Sequence, residues 1–182
     1  MDRLREKAFQ VALYWQSRPA VVKRAVSQLD PVCSDNLRVI EFDRIRVASV
    51  QVRVRPVPGP EEYVRQVFPL IAKAVNEGAQ LIVLPELVSM GLFGMLPGFD
   101  ELAGEDLSTA LDSVEEGLTL QEVLRFVGPA MVRTYRATFS ELSRAFGVYI
   151  AAGSTWLPTD DGIRNVGYLF DPTGAVVGTS AK

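Results

Sequence analysis

Gly78-Ala79-Gln80-Leu81-Ile82-Val83-Leu84-Pro85-Glu86-Leu87 is the stretch from which the fold can be read. Its run of four apolar residues, 81–84, is short and bounded by breakers, the pattern of a strand covered on both faces. Upstream, Pro56-Val57-Pro58-Gly59-Pro60 opens a helix with Glu61 and Glu62 in its first turn, where carboxylates favour the helix dipole. Val64, Val67, Phe68, Ile71 and Val75 form its apolar stripe. Pro69 inside the stripe is expected to kink the axis, and Gly78 fits the position that ends it. Before that, Val47, Ser49 and Gln51 alternate with Ala48, Val50 and Val52 as a further strand. Strand, helix, strand in this order predicts an α/β sheet. Glu86 then stands where the chain leaves the carboxyl end of a strand, the edge at which open α/β sheets place ligand crevices. Backed by an apolar strand, it is expected to be shielded from solvent, with its pKa drawn upward toward general-base work. From position alone, a solvated loop acid is the other reading.

Downstream, Leu107, Leu111, Val114 and Leu118 are spaced for one short helix, and Leu120, Leu124 and Val127 for another, with Gly117, Gly128 and Pro129 as punctuation. Val132, Tyr135, Phe139, Leu142 and Phe146 give a further helical stripe closed by Gly147. Residues 148–152 follow as a strand. The runs 166–170 and 175–178 flank Asp171-Pro172-Thr173-Gly174, whose residue types favour a type I turn and hence a hairpin. Asp160-Asp161-Gly162, beside Pro158, reads as a turn and not as a working carboxylate pair. Gly91, Gly94 and Gly98 make a loosely Gly-rich loop near Glu86 that lacks phosphate-binding spacing. At the other end, Leu4, Ala8, Val11, Ala12 and Trp15 recur at helical spacing, as do Val22, Ala25, Val26 and Leu29 after Pro19. Residues 1–45 therefore read as a helical extension, with a polar break around 30–36. The favoured reading is a cap packed on the main domain, and the other is an oligomerisation or docking arm.

Whole-chain composition prunes the chemistry. The 182 residues contain no His, which removes Ser–His–Asp triads, Cys–His pairs and His-based zinc sites from within this chain. A single cysteine, Cys33, excludes an intrachain disulfide and a Cys-rich metal site. Nineteen basic and 22 acidic side chains, mixed along the sequence, predict neither a nucleic-acid footprint nor a polybasic membrane patch. No apolar run approaches the ~18–20 residues of a spanning helix, and no signal peptide is recognised, so a cytoplasmic location is the default expectation.

The segment 78–87 is similar to the one that delivers the catalytic Glu in enzymes of the nitrilase superfamily of carbon–nitrogen hydrolases. Val47-Ala48-Ser49-Val50-Gln51 resembles that family's first strand. Phe146-Gly147-Val148-Tyr149-Ile150-Ala151-Ala152-Gly153-Ser154 resembles its central helix-to-strand passage. Asn165, the strand after it, Asp171-Pro172-Thr173-Gly174 and Val177-Gly178 resemble the run leading to the family's Lys, which places Lys182 at that position. The resemblance covers residues 46–182, with an insertion near 95–128. It implies an N-terminal part of a four-layered α-β-β-α sandwich. Glu86 is implied as general base and Lys182 as the partner of the oxyanion, serving a Cys that attacks a carbonyl or nitrile carbon. Phe93 stands one residue beyond a frequent aromatic position of the family and is the candidate substrate contact. Cys33 precedes the first family strand and is not carried over.

The expectation is a hydrolase lineage acting on non-peptide carbon–nitrogen bonds in amides, carbamoyl compounds or nitriles. No metal or organic cofactor is implied. The family's nucleophile lies after its Lys, so the 182-residue chain by itself is expected to be inactive. The expected partners are a small amide or nitrile and a second copy or complementing chain, with neither nucleic acid nor membrane. The alternative is a non-catalytic, nitrilase-like binding or assembly module.

Overall fold

The computed structural model describes residues 3–31, 44–96, 99 and 119–182. Cys33, Gly98, most of the polar break around 30–36 and the helix expected over 107–118 lie outside the described residues. Elsewhere the chain forms helices α1 (Arg3–Gln16), α2 (Pro19–Gln28), α3 (Pro60–Asn76) and α4 (Leu120–Phe146). Five strands make one mixed sheet in the order of the sequence: β1 (Val47–Ser49), β2 (Leu81–Val83), β3 (Tyr149–Thr159), β4 (Gly162–Phe170) and β5 (Val176–Ala181). The first three run parallel, with Ala48, Ile82 and Ile150 in one row. Helices α3 and α4 make the crossovers that parallel neighbours require. The last two strands return as antiparallel hairpins. None of the helices among the described residues is long and apolar enough to cross a membrane.

The expected strand-helix-strand unit is present. Tyr63, Val64, Val67 and Ile71 bury the stripe of α3, which runs through Pro69 to Asn76. Gly78 follows with φ +91°, the left-handed step that favours glycine. Both expected turns are also hairpins. Asp160 and Asp161 bridge Thr159 to Gly162. In the other, Asp171 Oδ1 accepts from the Thr173 and Ala175 amides and the Thr173 hydroxyl, while Gly174 N–H donates to Asp171 O. Asp171 is held below its usual pKa, first by the Thr173 hydroxyl and then by these amides.

One expectation needs correction. Gly128-Pro129 does not end a helix: α4 is continuous for 27 residues. Leu124, Val127, Met131, Tyr135, Phe139, Leu142 and Phe146 are all buried, and their unbroken spacing of three and four spans the proline. Burial along a whole face outweighs one missing hydrogen bond of up to ~3 kcal/mol. Gly128 has a packing reason, since a Cβ there would meet Pro158 Cγ of β3 at 2.6 Å. A capping box between Thr119 and Glu122 starts the helix.

Helix α1 is present as expected. It docks by Leu13 and by Phe9, whose ring stacks on Phe126. Gln16 Nε2 donates to Pro58 O at 3.0 Å, and Arg133 donates to Ser17 Oγ. Ala8, Val11, Ala12 and Trp15, the stripe that marked the helix, face outward, and Trp15 carries the Arg18 guanidinium over its ring. The buried stripe of α2 is the expected one, Val22, Ala25 and Val26.

At the centre of the sheet, β3 carries a bulge between Ala151 and Ser154. Gly153 within it has φ +65°, and a Cβ there would collide with the Pro85 carbonyl. We expect Gly153→Ala to destabilise the fold by at least ~1–2 kcal/mol through the left-handed backbone alone, with more from the collision. Urea denaturation should show a lower midpoint at an unchanged slope.

Candidate active site

Three elements converge where the chain leaves β2. Leu84 N–H donates to Ala151 O at 2.9 Å, continuing the parallel ladder one residue past the strand. Leu87 N–H donates to Ser154 Oγ, also at 2.9 Å, and Leu87 adopts φ +53°. Glu86 is thus held between two anchors on β3. The opposite side comes from β4 and β5. Asn165 and Lys182 exchange both backbone hydrogen bonds, at 3.0 and 3.1 Å, which makes them a directly opposed pair with side chains on one face.

Both side chains reach the same oxygen. Lys182 Nζ lies 2.9 Å from Glu86 Oε1, and Asn165 Nδ2 donates to Glu86 Oε1 at 2.5 Å. Residues 86 and 182, far apart in sequence, are therefore in contact. The expected shielding of Glu86 is not found. Its side chain is 56% exposed and that of Lys182 is 76% exposed. The expected upward pKa drift is reversed as well. The hydrogen bond and charge of Lys182 hold Glu86 below the ordinary carboxylate value against an opposing desolvation, and the Asn165 amide adds a smaller downward contribution. The reason is location: Glu86 lies beyond the end of the apolar strand, on the open side of the sheet.

Phe93 is placed differently from expectation. It belongs to the 3₁₀ segment Val88–Met95 together with Gly91 and Gly94, and it is only 1% exposed. Phe99 stacks on its ring and Trp156 meets it edge-on. It fills the core and presents no surface to a substrate. Trp156 is the register partner of Asn165, so the Phe93 cluster braces the strand pair that carries the site. Asn165 was not singled out for a role by sequence, although it stands in a quoted motif. The signal for it is its register opposite Lys182, which becomes visible only once the hairpin is paired.

Among the described residues no group of three or more His, Cys, Asp or Glu side chains is gathered as a metal site would require. A groove of about 460 Å³ between α4 and the β4–β5 hairpin includes Arg136, Ser140 and Gly174 but neither Glu86 nor Lys182. The pair can bind a polar group through Lys182 and accept a proton at the carboxylate.

Because its folded pKa is depressed, ionised Glu86 stabilises the native state above its unfolded pKa, and that contribution is lost as pH falls through the folded value. In Lys182→Met, the Glu86 carboxyl titration followed by ¹³C NMR should move up toward the ordinary glutamate value. Acid unfolding should lose the part of its pH dependence that comes from this pair. An unmoved titration would mean that the ion pair does not persist in solution.

Residues 46–182 match the model of the carbon-nitrogen hydrolase family. Among curated proteins none matches the chain. Among solved structures, an amidase from Nesterenkonia sp. is 24% identical over 76% of this chain and 42% of its own, with a TM-score of 0.47. A variant of the amidase from Nesterenkonia sp. AN1 showing Michael addition of acrylamide at the active-site cysteine is 22% identical, over 76% and 44%, with a TM-score of 0.47. Another variant of that amidase, in complex with butyramide, is 23% identical, over 76% and 42%, also with a TM-score of 0.47. The chain spans less than half the length of each. The sequence match, which covers three quarters of the chain, is what decides the assignment: the chain belongs to the carbon–nitrogen hydrolase family, the nitrilase superfamily.

Proposed function

We propose that residues 46–182 are the N-terminal part of a hydrolase domain for small amides, carrying its base, Glu86, and its oxyanion-side cation, Lys182. Residues 1–45 are its helical extension. The observation that carries this reading is the 2.9 Å contact between Glu86 and Lys182 at the ends of two strands of one sheet, within a family match. In this reading a cysteine thiol gives its proton to the Glu86 carboxylate, and the sulfur bonds to the amide carbon. The C=O electron pair moves onto oxygen, where the Lys182 ammonium meets it. Collapse breaks the C–N bond, and the nitrogen leaves as ammonia with the proton held by Glu86. Water then cleaves the thioester to the acid and restores the thiol. The sequence 46–182 has no cysteine, so the nucleophile of this scheme is supplied from outside that stretch.

The same reading makes the sheet one half of a four-layered sandwich. Helices cover the side of Ile82, Ile150 and Ala152, which are buried. The opposite row, Leu81, Val83, Tyr149 and Ala151, is only partly covered. A second sheet packed there would enclose Glu86 and raise its proton affinity toward that of a working base. The openness of the pair also favours a second reading, a non-catalytic module in which this face binds a partner.

Purified residues 1–182 should release no ammonia from acrylamide or butyramide. A protein carrying these residues together with a nucleophilic cysteine should do so, losing about 10²–10⁴-fold in Glu86→Gln and about 10²–10³-fold in Lys182→Ala. Turnover by residues 1–182 that survives Cys33→Ala and disappears in Glu86→Gln would overturn the assignment of the nucleophile.

The partly bare sheet face should also make residues 1–182 associate at micromolar concentration. Light scattering is the measurement, and a compact, stable monomer would count against the sandwich.

A further inference from the structure

We propose that Asn165 is a positioning residue of this site: its amide clamps Glu86 by Oε1 and leaves Oε2 as the oxygen that takes up the proton. The inference rests on Glu86 acting as the base. Oε1 receives two donors, Lys182 Nζ at 2.9 Å and Asn165 Nδ2 at 2.5 Å. A carboxylate oxygen has two lone-pair sites, and both are then engaged. Oε2 accepts from no group among the described residues. Lys182 is the charged group in contact with the carboxylate, and Asn165 contributes a bond without adding a second cation. That distinction matters for a base, because each added positive charge lowers its proton affinity.

The clamp starts from a paired backbone. Asn165 is tied to Lys182 through both backbone hydrogen bonds, so both side chains leave the same face of one ladder toward Glu86. Its orientation is also determined. Turning the amide over would set Asn165 Oδ1 against Glu86 Oε1, two acceptors facing each other. As placed, Oδ1 is sealed from solvent and has no hydrogen-bond partner, a cost accepted in exchange for directing Nδ2 at Glu86. With Oε1 held, the proton-transfer step has one geometry. The S–H bond breaks, an O–H bond forms at Oε2, and the sulfur electron pair goes to the amide carbon. Neutralising the carboxylate in that step frees the Lys182 ammonium for the developing oxyanion.

The test is NMR on the 182-residue chain, whose outcome does not depend on turnover. Asn165→Leu keeps the side-chain volume and removes the donor. We expect the Glu86 titration to shift upward by less than in Lys182→Met, and the shift difference between the two Glu86 γ-methylene protons to shrink as the released side chain exchanges among rotamers. Asn165→Gln, with a donor on a longer stem, should recover part of both effects. Amide shifts across β4 and β5 report whether the hairpin stays paired. If pairing is lost in Asn165→Leu, Asn165→Ser serves as the second donor-shortened variant. An unchanged titration and unchanged γ-methylene shifts, in a variant with the hairpin intact, overturn the clamp. The base reading fails separately, if Glu86→Gln keeps full turnover in a protein with the nucleophile.

Discussion

The Pro85 carbonyl rests against the backbone of Gly153, and the candidate site depends on that crossing. The chain leaving β2 has to pass over β3 at the point where β3 bulges, and no side chain can occupy the crossing. Flanking bonds from Leu84 to Ala151 O and from Leu87 to Ser154 Oγ hold the crossing on either side. Glu86 is the residue between them, and it has little freedom to point elsewhere. The left-handed conformation of Leu87 is the local strain that this arrangement carries, while Gly153 adopts the same region without it.

On the far side of the site the constraint is strand pairing. Tyr135 and Phe139 of α4 fill the space beneath the sheet, and the Tyr135 hydroxyl donates to Ala152 O at 3.1 Å. Burial pushes the Tyr135 phenol well above its ordinary pKa, so it remains a neutral donor there. That packing fixes the plane of β3 and, through it, the hairpins that bring Asn165 and Lys182 to the carboxylate. The polar site is thus positioned by an apolar core.

Much of this was legible in sequence for identifiable reasons. The run 81–84 and the stripe of α3 are local patterns in which burial and periodicity agree, and the Asp171–Gly174 turn has its chemistry written in four consecutive residues. Glu86 drew attention by its place after a strand, and motif order made it and Lys182 candidates together, since that order reflects the sheet without requiring that it be built. The misreadings share a different cause. Gly128-Pro129 carries a strong local break signal, but the helix is decided by a stripe that runs across it. Apolar spacing in α1 marked a helix correctly and could not tell which of its two faces docks. Phe93, the exposure of Glu86 and the part played by Asn165 depend on neighbours dozens of residues away, such as Trp156 and Lys182.

The opposed pairing of Asn165 with Lys182 makes chain length between them a matter of parity. Side chains alternate faces along a strand, so a single-residue insertion or deletion within β5 would turn the ammonium to the helix side of the sheet. A two-residue change would restore the face and carry the ammonium ~6–7 Å along the strand, beyond reach of Glu86. Length variation in this hairpin is tolerable only where the turn can absorb it outside the ladder, between Asp171 and Ala175. The spacing of the lysine from the asparagine is therefore as much a part of the site as either side chain.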